Sequence, residues 1–274
     1  MKQQLKIGVF DSGVGGLTVL RQLVRHVPAA QYFYFGDTAR LPYGSKSAET
    51  VARFAIQAAH FLEERGIDML VIACNTATAL ALPAIQAAVK VPVEGVVEPG
   101  AAAAAAATHR NNVVVIATEA TIGSHAYKHA LESRQVHVRE KACPLFVPLI
   151  EEGWIDHPVT ERVAHEYLDE FFVDYESGPD ALVLGCTHYP LIKHILRAVA
   201  PWRVKIVDSA ESTARIVAKN LGIAAPPLAS PRTTQSSAPQ ISYFATDSVE
   251  RFCRVGQLFM GHALGEVKHV DIGG

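Results

Sequence analysis

The 274-residue sequence predicts an α/β fold of two pseudo-symmetric lobes, each a mostly parallel sheet flanked by helices, with the active site in the cleft between them. Three observations carry that prediction. Apolar runs of strand length alternate with helical patterns almost from end to end, as in parallel βα architectures. Two segments are near-copies, Val71-Ile72-Ala73-Cys74-Asn75-Thr76 and Val183-Leu184-Gly185-Cys186-Thr187-His188. The alternation breaks once, around residues 93–99. That break places a lobe boundary near residue 98 and a return crossing near 208, giving residues 1–98 plus 209–274 as the first lobe and 99–208 as the second.

The elements follow in order. Residues 6–10 are a strand, and a glycine-rich turn leads to a helix over 17–27 with Leu17, Leu20, Leu23, Val24 and Val27 on one face. Residues 32–35 are the second strand. Ser47 is an N-cap for a helix that runs to Arg65 and is stopped by Gly66. Residues 69–73 are the third strand, with Cys74 at its end and a helical pattern over 80–89. Pro99-Gly100 opens an alanine-rich helix, 101–107. Strands at 112–117, 136–140 and 181–184 form the second set, and Cys186 precedes a helical pattern at 191–199. Residues 211–220 are helical, and 241–244 are a strand rejoining the first lobe. Residues 225–240, rich in Pro, Ser, Thr and Ala, read as a mobile surface loop.

Composition narrows the function. An apolar fraction of 49% supports a large core, and a formal charge of −2 gives no electrostatic case for nucleic acid. The four cysteines have no CxxC spacing, so neither a disulfide scaffold nor a zinc ribbon is indicated. Residues 1–6 lack a signal-peptide layout. The uncharged stretch 69–89 is interrupted by Asn75, Thr76, Thr78, Pro83 and Gln86, and fits strand, turn and helix better than a membrane span. A cytoplasmic protein without a membrane partner is expected.

Ligands of α/β folds bind where strands end and helices begin. The repeat therefore puts one thiol at each of two equivalent strand ends, and two thiols across one pocket suit a reaction that treats both faces of a carbon alike. Cysteine acts as a base only as thiolate, with a free pKa of about 8.5. Asp11 is a candidate helper for Cys74, and His188 for Cys186. A metal site from Cys74, Cys186 and His188 lacks local ligand spacing. A Cys–His hydrolase leaves the second cysteine idle. Cys143 and Cys253 read as small buried hydrophobes.

The turn Asp11-Ser12-Gly13-Val14-Gly15-Gly16 offers backbone amides to an anion at a helix start. It lacks the third glycine of a dinucleotide motif, because Thr18 stands there. Asp11 would repel a pyrophosphate but suits the ammonium group of a zwitterion. A tight turn capped by Asp11 is the structural alternative. In Gly36-Asp37-Thr38-Ala39-Arg40-Leu41-Pro42-Tyr43-Gly44, the Tyr43 hydroxyl and Gly44 amide are candidates to hold a second carboxylate, with Asp37 orienting a neighbour. Arg40 and Lys46 read as solvated surface charges.

The blocks DSGVGGLTVL, FGDTARLPYGSKS, ACNTATA, CPLFVPLIEEG and LGCTHYPL, in that order, resemble the glutamate racemases, cofactor-independent enzymes of cell-wall synthesis. The resemblance runs from Ile7 to Ser209 and more weakly over 241–261. It implies that Cys74 and Cys186 are the acid/base pair on opposite faces of Cα, the former taking the proton of D-glutamate and the latter that of L-glutamate. It also implies Asp11 beside Cys74, with His188 and Glu151 beside Cys186. Asn75, Thr76, Thr121 and Thr187 would hold the α-carboxylate, with Thr118 close by. Ser12, Tyr43 and Gly44 would hold the side-chain carboxylate, with Asp37 in the same binding region. Glu119-Ala120 departs from the smaller polar residues expected before Thr121. The implied ligands are L-glutamate and D-glutamate, the implied product use is peptidoglycan, and the implied assembly is a homodimer.

Racemisation passes through a planar carbanion, so one base removes the proton and an acid on the other face returns one. Pyridoxal phosphate would need a lysine, and none lies in a cysteine block or the Asp11 turn. No cofactor and no metal are expected. Acidity must then come from hydrogen bonds to the α-carboxylate, in a site closed by hinge motion near 98 and 208. Two rivals remain: a non-catalytic two-lobed dicarboxylate-binding protein, and a racemase of the same superfamily with another substrate.

Overall fold

The structure, a computed structural model, describes residues 4–174, 177–223 and 239–273. The loop expected at 225–240 lies outside the described residues but for its last two. Two wholly parallel sheets form the frame. The first contains β1 (Lys6–Asp11), β2 (Gln31–Gly36), β3 (Met69–Ile72), β4 (Val93–Gly95), β9 (Ile241–Ala245) and β10 (Val267–His269), in the order β10-β9-β2-β1-β3-β4. The second contains β5 (Asn112–Ala117), β6 (His137–Ala142), β7 (Ala181–Gly185) and β8 (Lys205–Asp208), in the order β6-β5-β7-β8.

The internal repeat is visible in this order. β2-β1-β3-β4 and β6-β5-β7-β8 are the same arrangement, with β3 and β7 as the equivalent strands that end at Cys74 and Cys186. Phe10 pairs with Ile72, and Ile116 with Leu184. Counting on from those pairs makes Ser12 and Thr118 equivalent as well.

The helices are α1 (Leu17–His26), α2 (Ala48–Glu63), α3 (Asn75–Ala88), α4 (Val97–Ala107), α5 (Glu119–Gly123), α6 (Ala126–Glu132), α7 (Phe146–Glu151), α8 (Pro158–Leu168), α9 (Lys193–Val199), α10 (Ser209–Asn220) and α11 (Val249–Met260). Ser47 caps α2 as expected, its hydroxyl accepting from the Thr50 amide. The break expected at 93–99 is instead the edge strand β4 followed by α4, which starts two residues before Pro99. Proline fits there because first-turn amides have no helical partner. The helix expected over 191–199 begins as a 3-10 turn, Tyr189–Ile192, and becomes α9 at Lys193.

Each sheet is covered on its outer side by its own apolar layer. Phe10, Leu70 and Ile72 meet residues of α2 and α3, while Val113, Val115 and Val183 meet residues of α4 and α6. The largest cluster is shared. It joins Ile7, Val9 and Val71 of the first sheet to Val114, Ile116, Leu182 and Leu184 of the second, through α1, α10 and α11. The two lobes thus meet over a continuous buried seam.

Candidate active site

Parallel strands all end on the same side of their sheet, so Asp11, Cys74, Thr118 and Cys186 leave their sheets at equivalent edges. Between these edges lies a cavity of about 460 Å³. Ser12, Tyr43, Gly44, Cys74, Asn75 and Thr76 line it from the first lobe. Thr118, Glu151, Cys186, Thr187 and His188 line it from the second. Both thiols of the repeat therefore open into one space, as free cysteines.

Their surroundings differ. Cys74 is the N-cap of α3, where its Sγ accepts from the Ala77 amide at 3.4 Å and lies 3.5 Å from Ser12 Oγ. Burial pushes its thiol up to about 12, and the charge of Asp11 adds to that, while Ser12 and the Ala77 amide ease it. A helix N-terminus favours the thiolate, so it works against the burial. Cys186 Sγ lies 3.9 Å from His188 Nδ1. His188 Nε2 is 3.0 Å from Glu151 Oε1, and Glu151 Oε2 accepts from Arg251 at 2.9 Å. Burial alone would push the imidazole down, but Cys186 and Glu151 outweigh it and hold His188 at about 10. Burial likewise pushes Glu151 up, yet His188 and Arg251 prevail and bring its carboxyl below the ordinary range.

Asp11 is buried behind the cavity rather than in its wall. Its Oδ2 accepts from the Gly13 amide, and its Oδ1 has no protein partner. Burial raises its carboxyl, against the lowering effect of the Gly16 amide and His188. The glycine-rich turn has a further role that sequence reasoning did not supply. A Cβ on Gly15 would come within 2.3 Å of Thr187 Oγ1 and 2.5 Å of His188 Nδ1. Gly15 lets the first lobe's turn press against the second lobe's Cys186 block. Thr18 fastens the same contact, donating from Oγ1 to the Thr187 carbonyl at 3.0 Å.

Hydroxyls bridge the lobes on the other side. Thr76 Oγ1 lies 2.9 Å from Thr118 Oγ1 and 3.2 Å from Thr121 Oγ1. Thr121 is buried behind the other two and does not line the cavity. Tyr127 of α6 donates to Asn75 Oδ1 at 2.7 Å. That bond fixes the amide and leaves Asn75 Nδ2 buried with no protein partner.

Tyr43 departs from the role expected of it, and Asp37 keeps its expected orienting role but lies outside the cavity wall. The Tyr43 hydroxyl reaches the cavity wall but donates to Asp37 Oδ2 at 2.6 Å, so its one proton is already used. Asp37 does not line the cavity. It is fully buried, accepting from Tyr43 and, through Oδ1, from Thr246 at 3.0 Å, and thus orients Tyr43 rather than meeting a ligand. Glu119, the residue that departs from the expected pattern, does line the cavity, as do Ser45, Glu152 and Arg251. Pro144, Val147 and Pro148 complete an apolar wall; they stand in the CPLFVPLIEEG block, where the proline–aliphatic pattern was the available signal. Among the described residues, no lysine lines the cavity. Among the described residues, no three His, Cys, Asp or Glu side chains group as metal ligands.

Residues 7–217 match the family model described as Asp/Glu/Hydantoin racemase. The chain belongs to that racemase family. It is accordingly an enzyme of the isomerase class. A glutamate racemase of Koribacter versatilis is 58% identical to this racemase, covering 100% of the chain and 99% of the relative. A crystal structure of glutamate racemase from Francisella tularensis in complex with D-glutamate superposes with a TM-score of 0.85 at 35% identity, covering 98% of each chain. The enzyme from Thermus thermophilus, in complex with beta-chloro-D-alanine, gives 0.83 at 42% identity over 97% of each chain.

Proposed function

We propose that this protein interconverts L-glutamate and D-glutamate by a cofactor-independent two-thiol mechanism. The carrying observation is that Cys74 and Cys186, at equivalent strand ends of the two lobes, open into one cavity. The glutamate-specific names of relatives at 58% and 50% identity support the substrate.

The substrate Cα lies between the two sulfurs. In the L-to-D direction the Cys186 thiolate, stabilised by the His188 imidazolium, removes the Cα proton, and the Cys74 thiol returns one to the opposite face. In the reverse direction Cys74, supported by the Ala77 amide, Ser12 and the α3 terminus, takes the proton of D-glutamate. Negative charge that develops on the α-carboxylate is met by Asn75 Nδ2, Thr76, Thr118 and Thr187, donors already held in place. Asp11, buried behind the cavity, holds the turn that carries Ser12 and acts on Cys74 through its charge, without touching the ligand. Ser12 and the Gly44 backbone take the side-chain carboxylate, with Asp37 and Tyr43 holding that segment in position. Thr121 acts through Thr76 and Thr118.

We assign residues 1–98 plus 209–274 and 99–208 to the lobes that close around the substrate and exclude water. The product is D-glutamate for peptidoglycan, made in the cytoplasm by a homodimer. Among the described residues, no helix is long and apolar enough to cross a membrane.

Circular dichroism of L-glutamate tests the reading. The signal should decay to zero with the purified protein and no added cofactor, and stay flat with Cys74→Ser or Cys186→Ser. Glutamate binding without decay would favour a binding protein. Decay with aspartate alone would transfer the activity to another substrate.

A further inference from the structure

The Cys186 side of the cavity is held by a helix of the other lobe. α11 lies between β9 and β10, both strands of the first sheet, yet two of its side chains reach the Glu151–His188 pair. Arg251 donates to Glu151 Oε2 at 2.9 Å, and Phe259 sets its ring edge-on to the His188 imidazole, 5.2 Å between centroids. Glu151 divides its two oxygens, one to Arg251 and one to His188. A chain of contacts thus runs from the first lobe, Arg251 to Glu151 to His188 to Cys186. Among the described residues, the hydrogen-bond partners of Cys74 are instead a hydroxyl and a backbone amide.

We infer that Arg251 is a positioning residue for the Cys186 half-reaction, fixing the Glu151 carboxylate at the angle that keeps His188 turned toward the sulfur. The inference rests on the two-thiol reading. Stability is not its purpose: the Arg251 side chain is 55% exposed, and ion pairs of that kind contribute little to folding. Its effect is geometric. With one oxygen tied to Arg251, the carboxylate cannot rotate away from His188. Because Arg251 comes from the opposite lobe, the arrangement is complete only while the lobes are together.

Arg251 also lines the cavity, so direct contact with the substrate is the competing role. The two separate kinetically. The equilibrium constant of a racemisation is one, so any variant must lose kcat/KM equally in both directions. The step that limits the rate is free to change. Slower proton transfer at Cys186 makes that step more limiting for L-glutamate, whose Cα proton goes to Cys186. It makes transfer at Cys74 less limiting for D-glutamate.

The experiment uses the full-length enzyme with glutamate protonated or deuterated at Cα, on wild type, Arg251→Gln, Arg251→Lys and the exposed control Arg254→Gln. Arg251→Gln should lose about 10-fold in kcat/KM, a fraction of the roughly 10²–10⁴-fold that general acid–base catalysis supplies. Its isotope effect on kcat/KM should rise with deuterated L-glutamate and fall towards one with deuterated D-glutamate. Arg251→Lys should recover part of both changes, and Arg254→Gln should match wild type. Higher KM with unaltered kcat and unaltered isotope effects would make Arg251 a substrate ligand and overturn the inference. Equal losses with unchanged isotope effects would mark a purely structural role and also overturn it. If wild type does not racemise glutamate at all, the underlying two-thiol reading fails instead.

Discussion

His188 carries a proton far above the usual histidine range because its two partners, Cys186 and Glu151, outweigh its burial. The sign of the consequence is fixed. A group raised from an ordinary 6.5 to about 10 contributes stability that is fully present below about 6.5 and is lost as pH rises through about 10. The groups that face it are Cys186, Glu151 and Asp11, with Arg251 behind Glu151. Glu151→Gln removes one of the two supports, so the imidazole should titrate at lower pH and the alkaline limb of kcat/KM should move down with it. A pH–rate profile unchanged by that variant would remove Glu151 from the relay. Tyr127→Phe is milder: it frees the Asn75 amide to rotate, and should raise KM a few-fold with little change in stability, measured by initial rates and thermal melts. At this scale the cysteines and their followers were legible because the repeat placed them. Asp37 and Tyr43 were legible as a pair but not in their orientation, since a motif shows which groups are near and not where a hydroxyl proton is spent.

Turns and helix ends decide how the two halves of the site meet. Gly15 is the tightest of these points. Gly15→Ala drives a methyl into Thr187 and His188, and should cost about 1–3 kcal/mol while lowering activity further than that loss of stability explains. Denaturant melts beside kcat/KM would separate the two effects. Ser47→Ala removes only a cap and should cost about 1 kcal/mol with no change in activity, by the same pair of measurements. The strong strands, β1 to β3, β5 and β7, were readable from apolar runs, as were the helices that follow β1, β2, β3 and β7; α5 and α6, short helices of five and seven residues after β5, were not. β4 and β10 were not, being three residues long and partly polar (Val-Glu-Gly and Val-Lys-His). α11 went unread although its apolar face is regular, because the notable residue on it, Arg251, reaches a glutamate 100 positions earlier in the chain. Such a partner has no local signature.

For the whole molecule, the equal strand order of the two sheets explains how one chain presents similar walls to mirror-image ligands, and the unequal partners of the thiols explain why the walls are not identical. Lobe closure should be measurable: scattering with and without D-glutamate is expected to show a smaller radius of gyration in the bound form, and the same envelope in both would argue against closure. The amplitude should be modest, since Ile7, Val9, Ile116 and Leu184 belong to one buried cluster that crosses the lobes. That seam also governs how the protein comes apart. Neither sheet can expose its inner face without stripping the other, so melting should be all-or-none: one calorimetric peak, not a pair. A ligand gripped by both halves then protects the entire chain, including strands far from the cleft.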